Sequence, residues 1–292
     1  MKHNVNLFFI LNIATILLLF IITTMGIASF DPTNSYEITN QYKEVITMWG
    51  SGIYKHDSFF KAPIFIGTDL TILLLVIPLF TITFLNYKKK PTVEHTIQSF
   101  SVLCVLLYYS SSLAFGVTYN SLHLLYILLF SICFYSSGLL FLRLTRTSTP
   151  CHYTITFGMK LFLLIAGASL FIAWLPDIIT SLIHHRSLAL IETYTTEITY
   201  VIDMGIISPL MILTYYQLKQ NHFIGYILFR MLLKLCMIVG IILPVQSIFQ
   251  IKSNIEIPIP ALITKLSIFV ILALFAWYNE RRLMQSTTYT ND

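Results

Sequence analysis

The sequence predicts an all-α fold: a polytopic transmembrane bundle of about eight helices. The chain of 292 residues is 56% hydrophobic and only 11% charged, whereas soluble domains carry about 25% charged residues. Apolar segments of about 20 residues, the length that spans a bilayer, recur along the chain. The basic residues behind the net charge of +5 stand in short runs beside these segments. That is the positive-inside pattern of membrane proteins, so we expect membrane lipids as partners and no nucleic acid.

Eight segments are apolar for long enough to be transmembrane helices, although helix ends are uncertain by a few residues at this level. We expect them at 7–28, 65–86, 98–117, 121–142, 157–181, 200–218, 222–248 and 261–279. Together they make a single membrane domain over residues 1–292.

The connections between the helices predict the orientation. Basic residues follow the second, fourth, sixth and eighth segments: Lys88, Lys89 and Lys90; Arg143 and Arg146; Lys219; Arg281 and Arg282. In an alternating bundle these all fall on one side, together with Lys2. Cytoplasmic loops are enriched in lysine and arginine, so we expect both termini to be cytoplasmic.

The segment 29–64 is too long for a simple turn between helices one and two. We expect it to form an outer loop or a cap on the bundle. The stretch from Tyr36 to Trp49 is a candidate amphipathic helix that lies on the membrane or covers the bundle; the alternative is a partly ordered loop.

Helices two and six share a pattern that suggests an internal repeat. Each carries one carboxylate near its outer end and a proline further in: Asp69 with Pro78, and Asp203 with Pro209. The bundle would then consist of two four-helix halves in parallel orientation, as in some transporters. The two spacings differ, nine residues against six.

Charged residues within membrane segments are costly and therefore candidates for function. Asp69, Asp203 and Asp177 are expected near the outer ends of their helices, and they could line a cavity for a cation or an amine. Lys234 falls near the middle of helix seven, with Arg230 on the same face, and Lys265 falls near the outer end of helix eight. Both lysines could pair with these carboxylates or meet an anionic headgroup. The alternatives are helix-dipole stabilisation for the carboxylates and snorkelling for Arg230 and Lys265.

Helices three and four are rich in hydroxyl groups. Tyr108 and Tyr109 begin a run of polar and small residues that continues to Asn120. Such residues favour close packing of two helices, and a ligand groove lined by hydroxyls is the alternative. His184 and His185 stand beside acidic residues but lack the three or four ligands of a zinc site, so no metal is expected. The sequence indicates no cofactor.

Four groups of residues resemble an uncharacterised family of eight-helix prokaryotic membrane proteins. They are Asp69-Leu70 with Pro78, the hairpin from Tyr109 to Asn120, Leu125-Tyr126, and Tyr200 to Asp203 with Pro209. The resemblance covers most of the chain except the first helix and the interior of the outer loop. It implies eight helices, a prokaryotic plasma membrane and matched polar positions at Asp69, Asn120 and Asp203. It implies no reaction.

We therefore expect a membrane-embedded binding or transport protein. Its polar cavity would face outwards between helices two, three, six and seven. Asp69 and Asp203 would receive a cation or an amine, and Tyr108, Tyr109 and Asn120 would line the site. Two alternatives stay open: an enzyme that acts on lipid at the outer leaflet, and a non-catalytic scaffold or partner subunit. The sequence leaves the oligomeric state open.

Overall fold

The computed structural model describes residues 2–146, 151–256 and 259–289. Within them lie eight long helices, the number that the sequence predicts: α1 (Lys2–Ile27), α2 (Ala62–Lys89), α3 (Val93–Gly116), α4 (His123–Arg146), α5 (Phe157–Ile183), α6 (Ile198–Lys219), α7 (Phe223–Lys252) and α8 (Ile259–Ser286). Among the described residues, α1 to α7 are long and apolar enough to cross a membrane. The chain is thus a multi-pass membrane protein.

Capping residues explain where two of the helices begin. The Thr92 hydroxyl accepts a hydrogen bond from the backbone N–H of His95 at 3.2 Å at the start of α3. The Thr156 hydroxyl does the same for Met159 at 3.4 Å at the start of α5. Each cap satisfies one of the N–H groups that an α-helix leaves unpaired at its first turn.

The helices pack in two groups with matching contacts. Within α1–α4 the first helix packs on the second, the second on the third and the third on the fourth; α5–α8 repeats these three contacts. α3 and α7 pack on each other at the centre, while α2 contacts α7 and α6 contacts α3. The second helix of each half thus contacts the third helix of the other half, which is the arrangement expected of two parallel four-helix halves.

A wide π-helical turn interrupts both α2 and α6. The turns span Ile72–Val76 and Asp203–Ile207, and each ends two residues before a proline, Pro78 or Pro209. Proline lacks an N–H and its ring crowds the carbonyl of the preceding turn. A turn with wider hydrogen bonding relieves that crowding, and such turns often occur at functional sites.

The segment between α1 and α2 folds as a β-hairpin, so the amphipathic helix expected over Tyr36 to Trp49 is wrong. Strand β1 (Tyr36–Thr39) pairs antiparallel with β2 (Val45–Met48). The Asn40 carboxamide oxygen accepts N–H bonds from Tyr42 and Glu44, each at 2.9 Å, and so closes the turn. β-Branched residues in both strands favour an extended backbone over a helix.

The hairpin leads into a segment that is anchored on the bundle. Trp49 is fully buried and donates its indole N–H to the carbonyl of Ser29 at 2.8 Å. The Asn40 carboxamide also donates to the backbone of Glu192 at 2.8 Å, in the connection between α5 and α6. We call the end of the bundle that carries residues 29–61 and 184–197 the capped face.

The opposite end carries the basic connections, and we call it the basic face. Strand β3 (Cys151–His152), in the connection between α4 and α5, pairs antiparallel with β4 (Thr288–Tyr289) near the C-terminus. At the other terminus, Lys88 lies over the ring of Phe9 at 3.9 Å. Both ends of the described chain therefore lie at the basic face.

Candidate functional site

A cavity of about 190 Å³ lies between the helices at the capped end of the bundle. Its walls come mainly from α2, α3, α6 and α7, the four helices that the sequence predicts, with single contributions from α5 and α8. Much of the lining is aliphatic. The polar and aromatic side chains that line it include Thr68, Tyr108, Tyr109, Trp174, Tyr200, Asp203 and Gln246.

Asp203 is the carboxylate in the membrane-embedded wall of this cavity. It opens the π-helical turn of α6, roughly 8 Å along the helix axis from Ile198. Tyr108 donates its hydroxyl to Oδ1 at 3.0 Å, and Trp174 donates its indole N–H to Oδ2 at 3.0 Å. Among the described side chains, no lysine, arginine or histidine forms an ion pair with Asp203.

Aromatic rings surround this carboxylate. Trp174 and Tyr200 stack with ring centroids 4.8 Å apart, and both line the cavity beside Tyr108. Aromatic faces attract cations, most strongly where water is excluded. A carboxylate held by two neutral donors among such rings suits a positively charged group better than an anion.

A second, smaller cavity of about 50 Å³ lies on the other side of Asp203. Tyr108 and Asp203 line both cavities. The rest of the smaller lining is almost entirely apolar and comes from α5, α6, α7 and α8: Ala166, Leu170, Ile207, Met211, Leu235, Cys236, Val239, Phe269 and Leu272. A ligand at Asp203 would therefore meet an apolar recess beyond its charged group.

An ion pair lies in the cavity wall at the capped end. Lys61, next to the start of α2, pairs with Glu197, next to the start of α6. The Lys61 ammonium also lies 4.0 Å from the centre of the Tyr194 ring. The pair joins the two cap segments where they meet the cavity.

Asp57 lies buried behind this ion pair. Its Oδ1 accepts hydrogen bonds from the Thr118 backbone N–H at 2.9 Å and the Tyr194 hydroxyl at 3.0 Å. Its Oδ2 has no hydrogen-bond partner among the described residues. Burial raises the pKa of Asp57 to about 7, although these two bonds and the Lys61 charge oppose the shift. Burial likewise raises the pKa of Glu192, which hydrogen-bonds to Ser58.

Asp69 does not line the cavity, contrary to the expected grouping of Asp69 with Asp203. Its carboxylate is fully buried on the other side of α2, where it accepts hydroxyl bonds from Tyr54 at 2.7 Å and Tyr109 at 2.6 Å. Gly26 of α1 lies directly against it. The structure brings Tyr109, not Asp69, to the cavity wall.

Two further predicted ligand residues lie outside the cavity lining. Asp177 is exposed and accepts the Tyr200 hydroxyl at 2.7 Å. Asn120 holds the turn between α3 and α4: its oxygen accepts the Leu122 N–H at 2.9 Å, and its amide group faces the Tyr126 hydroxyl at 3.3 Å. Asn120 therefore shapes a turn rather than a ligand site.

Lys234 lies towards the basic face, 3.9 Å from Glu280 of α8. It belongs to a cluster centred on the buried Arg230, which does not snorkel to the surface. Arg230 forms ion pairs with Glu280 at 2.9 Å and with Glu94 of α3 at 2.8 Å. It also donates a hydrogen bond to the Tyr226 hydroxyl at 2.9 Å. This cluster joins α3, α7 and α8. The side chain of Lys265 lies outside the part of the chain that the structure describes.

The cavity residues that were not among the sequence candidates include Trp174, Lys61 and Glu197. Trp174 stands in an apolar helix, where a tryptophan is equally typical of a lipid-facing position. Lys61 and Glu197 stand just before predicted helices, where charges are ordinary. Their shared position before α2 and before α6 is the signal that could have found them.

No protein-family model, curated protein sequence or solved structure matches this chain. The arguments for function therefore start from the geometry of the cavity.

Proposed function

We propose that this protein binds, and carries across the membrane, a small organic cation that enters the cavity from the capped face. The observation that carries the proposal is the Asp203 carboxylate, held by Tyr108 and Trp174 at the wall of a largely apolar, aromatic cavity. A cation there would gain the carboxylate charge and the ring faces together.

The size of the cavity narrows the ligand class. An engineered apolar cavity of about 150 Å³ holds a benzene molecule, and the cavity here measures about 190 Å³. An amine or quaternary ammonium ion with a few carbon atoms matches this volume. The apolar recess beyond Asp203 favours a ligand that carries a short apolar substituent.

Transport, rather than binding alone, is favoured by the matched π-helical turns in α2 and α6. Each half of the bundle contributes one interrupted helix to the cavity. Transporters built from repeats bind their substrates near such interrupted helices, and the halves rock around the site. The ion cluster of Arg230 and Lys234 lies on the basic side, where it would keep the path closed while the cavity is open to the capped face.

The location that we propose is the plasma membrane of a prokaryote, with both termini in the cytoplasm. The lysine and arginine residues of the basic face support this orientation, and the resemblance to eight-helix prokaryotic proteins agrees with it. The capped face and the cavity would then open to the outside of the cell.

Catalysis at the outer leaflet is less well supported. General acid–base chemistry needs two groups within reach of one substrate atom. Asp69 lies outside the cavity lining, bonded to Tyr54 and Tyr109, and Glu197, the other carboxylate in the lining beside Asp203, is paired with Lys61. The scaffold alternative provides no reason for a cavity of this size.

The test is a thermal-stability titration of the purified protein in detergent with tetramethylammonium, benzylammonium and, as an anion control, acetate. A ligand at 100 times its Kd stabilises the folded state by about 2.7 kcal/mol. We expect a stabilising shift with at least one of the two cations. The shift should disappear in Asp203→Asn.

Asp177→Asn is the matched control, because it removes a carboxylate near the same end of the bundle but outside the cavity lining. It should keep the shift. Uptake of the effective cation into proteoliposomes then separates transport from binding. A shift that survives in Asp203→Asn, or equal shifts with acetate, would contradict the proposal.

A further inference from the structure

A second buried carboxylate, Asp69, remains outside the proposed function. It is fully buried between α1, α2 and α3. Both of its oxygens accept hydrogen bonds from neutral hydroxyls, those of Tyr54 and Tyr109. Among the described side chains, no cation forms an ion pair with it.

This environment is unfavourable for a charge. An ionised carboxylate offers about four lone-pair sites for hydrogen bonds, and the described residues supply two. Transfer of an unpaired charge into a medium of low dielectric constant costs far more than two neutral hydrogen bonds return. A buried acid in such a place takes up a proton instead.

Tyr54 connects Asp69 with the capped face, because it belongs to the segment 29–61 and donates its hydroxyl to Oδ2 of Asp69 at 2.7 Å. Burial, with the Asp69 charge next in importance, raises the pKa of Tyr54 well above its ordinary value, so Tyr54 stays a neutral hydroxyl. Asp57, whose Oδ2 has no partner among the described residues, lies in the same segment, beside Tyr194 and Lys61.

We propose that Asp69 is a proton-binding site, loaded and unloaded from the side of the capped face through the Tyr54 hydroxyl. One proton adds to Oδ2 of Asp69. The Tyr54 hydroxyl then accepts that hydrogen and turns its own away from Asp69. No covalent bond other than the O–H bonds changes, and the site gains one positive charge.

The site adjoins the cavity through α3. Consecutive residues of that helix, Tyr108 and Tyr109, bond to Asp203 and to Asp69 respectively. A change in the charge of Asp69 therefore acts on the residue next to the one that holds the cavity carboxylate. The inference goes beyond the proposed function, and proton binding at Asp69 does not depend on which ligand the cavity takes.

The test is infrared difference spectroscopy of the full-length protein in detergent during a pH titration. It follows the C=O stretch of protonated carboxylic acids. Exposed carboxyl groups lose their protons near pH 4. We expect a protonated-acid band above that range in the wild type, to which Asp57 with its pKa of about 7 also contributes, and a smaller band in Asp69→Asn. Asp69→Asn preserves the volume and the neutrality of the protonated acid, so it should fold.

Three comparisons decide between outcomes. Asp203→Asn should keep the part of the band that Asp69→Asn loses, which separates this inference from the cation site. Tyr109→Phe removes a donor to the ionised form, so the midpoint of the band should move to higher pH. Sodium at constant pH should leave the band unchanged. A band of equal size in Asp69→Asn and the wild type, or one that sodium abolishes, would overturn the assignment of a proton-binding site.

Discussion

Replacement of Arg230 by glutamine should be among the most damaging single changes in the bundle. Arg230 is buried, and it is the cation shared by Glu280 and Glu94. Its Nε faces both oxygens of Glu280 at 2.9 and 3.0 Å, while its two terminal nitrogens reach the oxygens of Glu94 at 3.0 and 2.8 Å. Glutamine supplies neither the charge nor the planar fork.

The expected loss of stability follows from the charges that remain after the substitution. Removal of one partner from a buried ion pair costs about 3–5 kcal/mol, because the other charge is left without compensation. Lys234 stays 3.9 Å from Glu280 and offsets part of this loss. We therefore expect Arg230→Gln to cost about 3–4 kcal/mol. Lys234→Gln removes a single long contact at a partly accessible site, so it should cost about 1 kcal/mol or less.

The assay is the unfolding midpoint of each variant in detergent, with both variants measured beside the wild type. At roughly 2–4 °C per kcal/mol for a chain of this order of size, Arg230→Gln should lower the midpoint by about 6–16 °C. The double variant Arg230→Gln with Glu280→Gln should recover part of the loss, because one of the uncompensated charges is then gone. If Arg230→Gln were no more costly than Lys234→Gln, the cluster would not carry the stability that its geometry implies.

Three further predictions concern other parts of the bundle. A Cβ on Gly67 would lie 2.7 Å from a backbone atom of α7, so Gly67→Ala should cost about 1–3 kcal/mol by overpacking. Gly138→Ala, where nothing lies within 4 Å, should leave the unfolding midpoint unchanged or raise it. Lys61→Met removes a positive charge from the cavity wall and frees its acidic partner, so tetramethylammonium should bind severalfold more tightly in the stability titration; weaker binding would contradict the cation assignment. Burial raises the pKa of Asp57 from 3.8 to about 7, so the folded state holds a proton that the unfolded chain releases. Its contribution, of order 4 kcal/mol, is complete below about pH 4 and is lost as the pH rises to about 7. Unfolding midpoints across this range should fall in the wild type and stay flatter in Asp57→Asn.

The helices could be predicted because the bilayer imposes one strong requirement. Each span needs a long apolar run, and the described helices begin and end within five residues of the predicted limits, except that α8 continues to Ser286, seven residues beyond its predicted end. The choice of helices two, three, six and seven as cavity walls also agrees with the lining. The sequence did not predict the face on which each carboxylate lies, because the π-helical turns change the rotation per residue within α2 and α6.

The cap and the ion cluster show two other limits of the sequence. In a segment of mixed polarity such as Tyr36 to Trp49, apolar residues occur at both helical and alternating spacings, and the pairing of two strands decides between them. Glu94 and Glu280 stand near helix ends, where acidic residues are common. Their ion pairs with Arg230 depend on the three-dimensional fold, which brings these three residues together.

The contact between Gly26 and Asp69 bears on how the chain is inserted during synthesis. A Cβ at Gly26 would lie 1.7 Å from the Asp69 carboxylate. In chain order α1 reaches the bilayer before α2, and Tyr109 on α3 comes later still. When Asp69 leaves the insertion machinery, α1 is the membrane helix already present against which its carboxyl group can be sheltered from lipid. A bulkier residue at position 26 would withdraw that shelter during insertion, so its first effect should be on the yield of inserted protein.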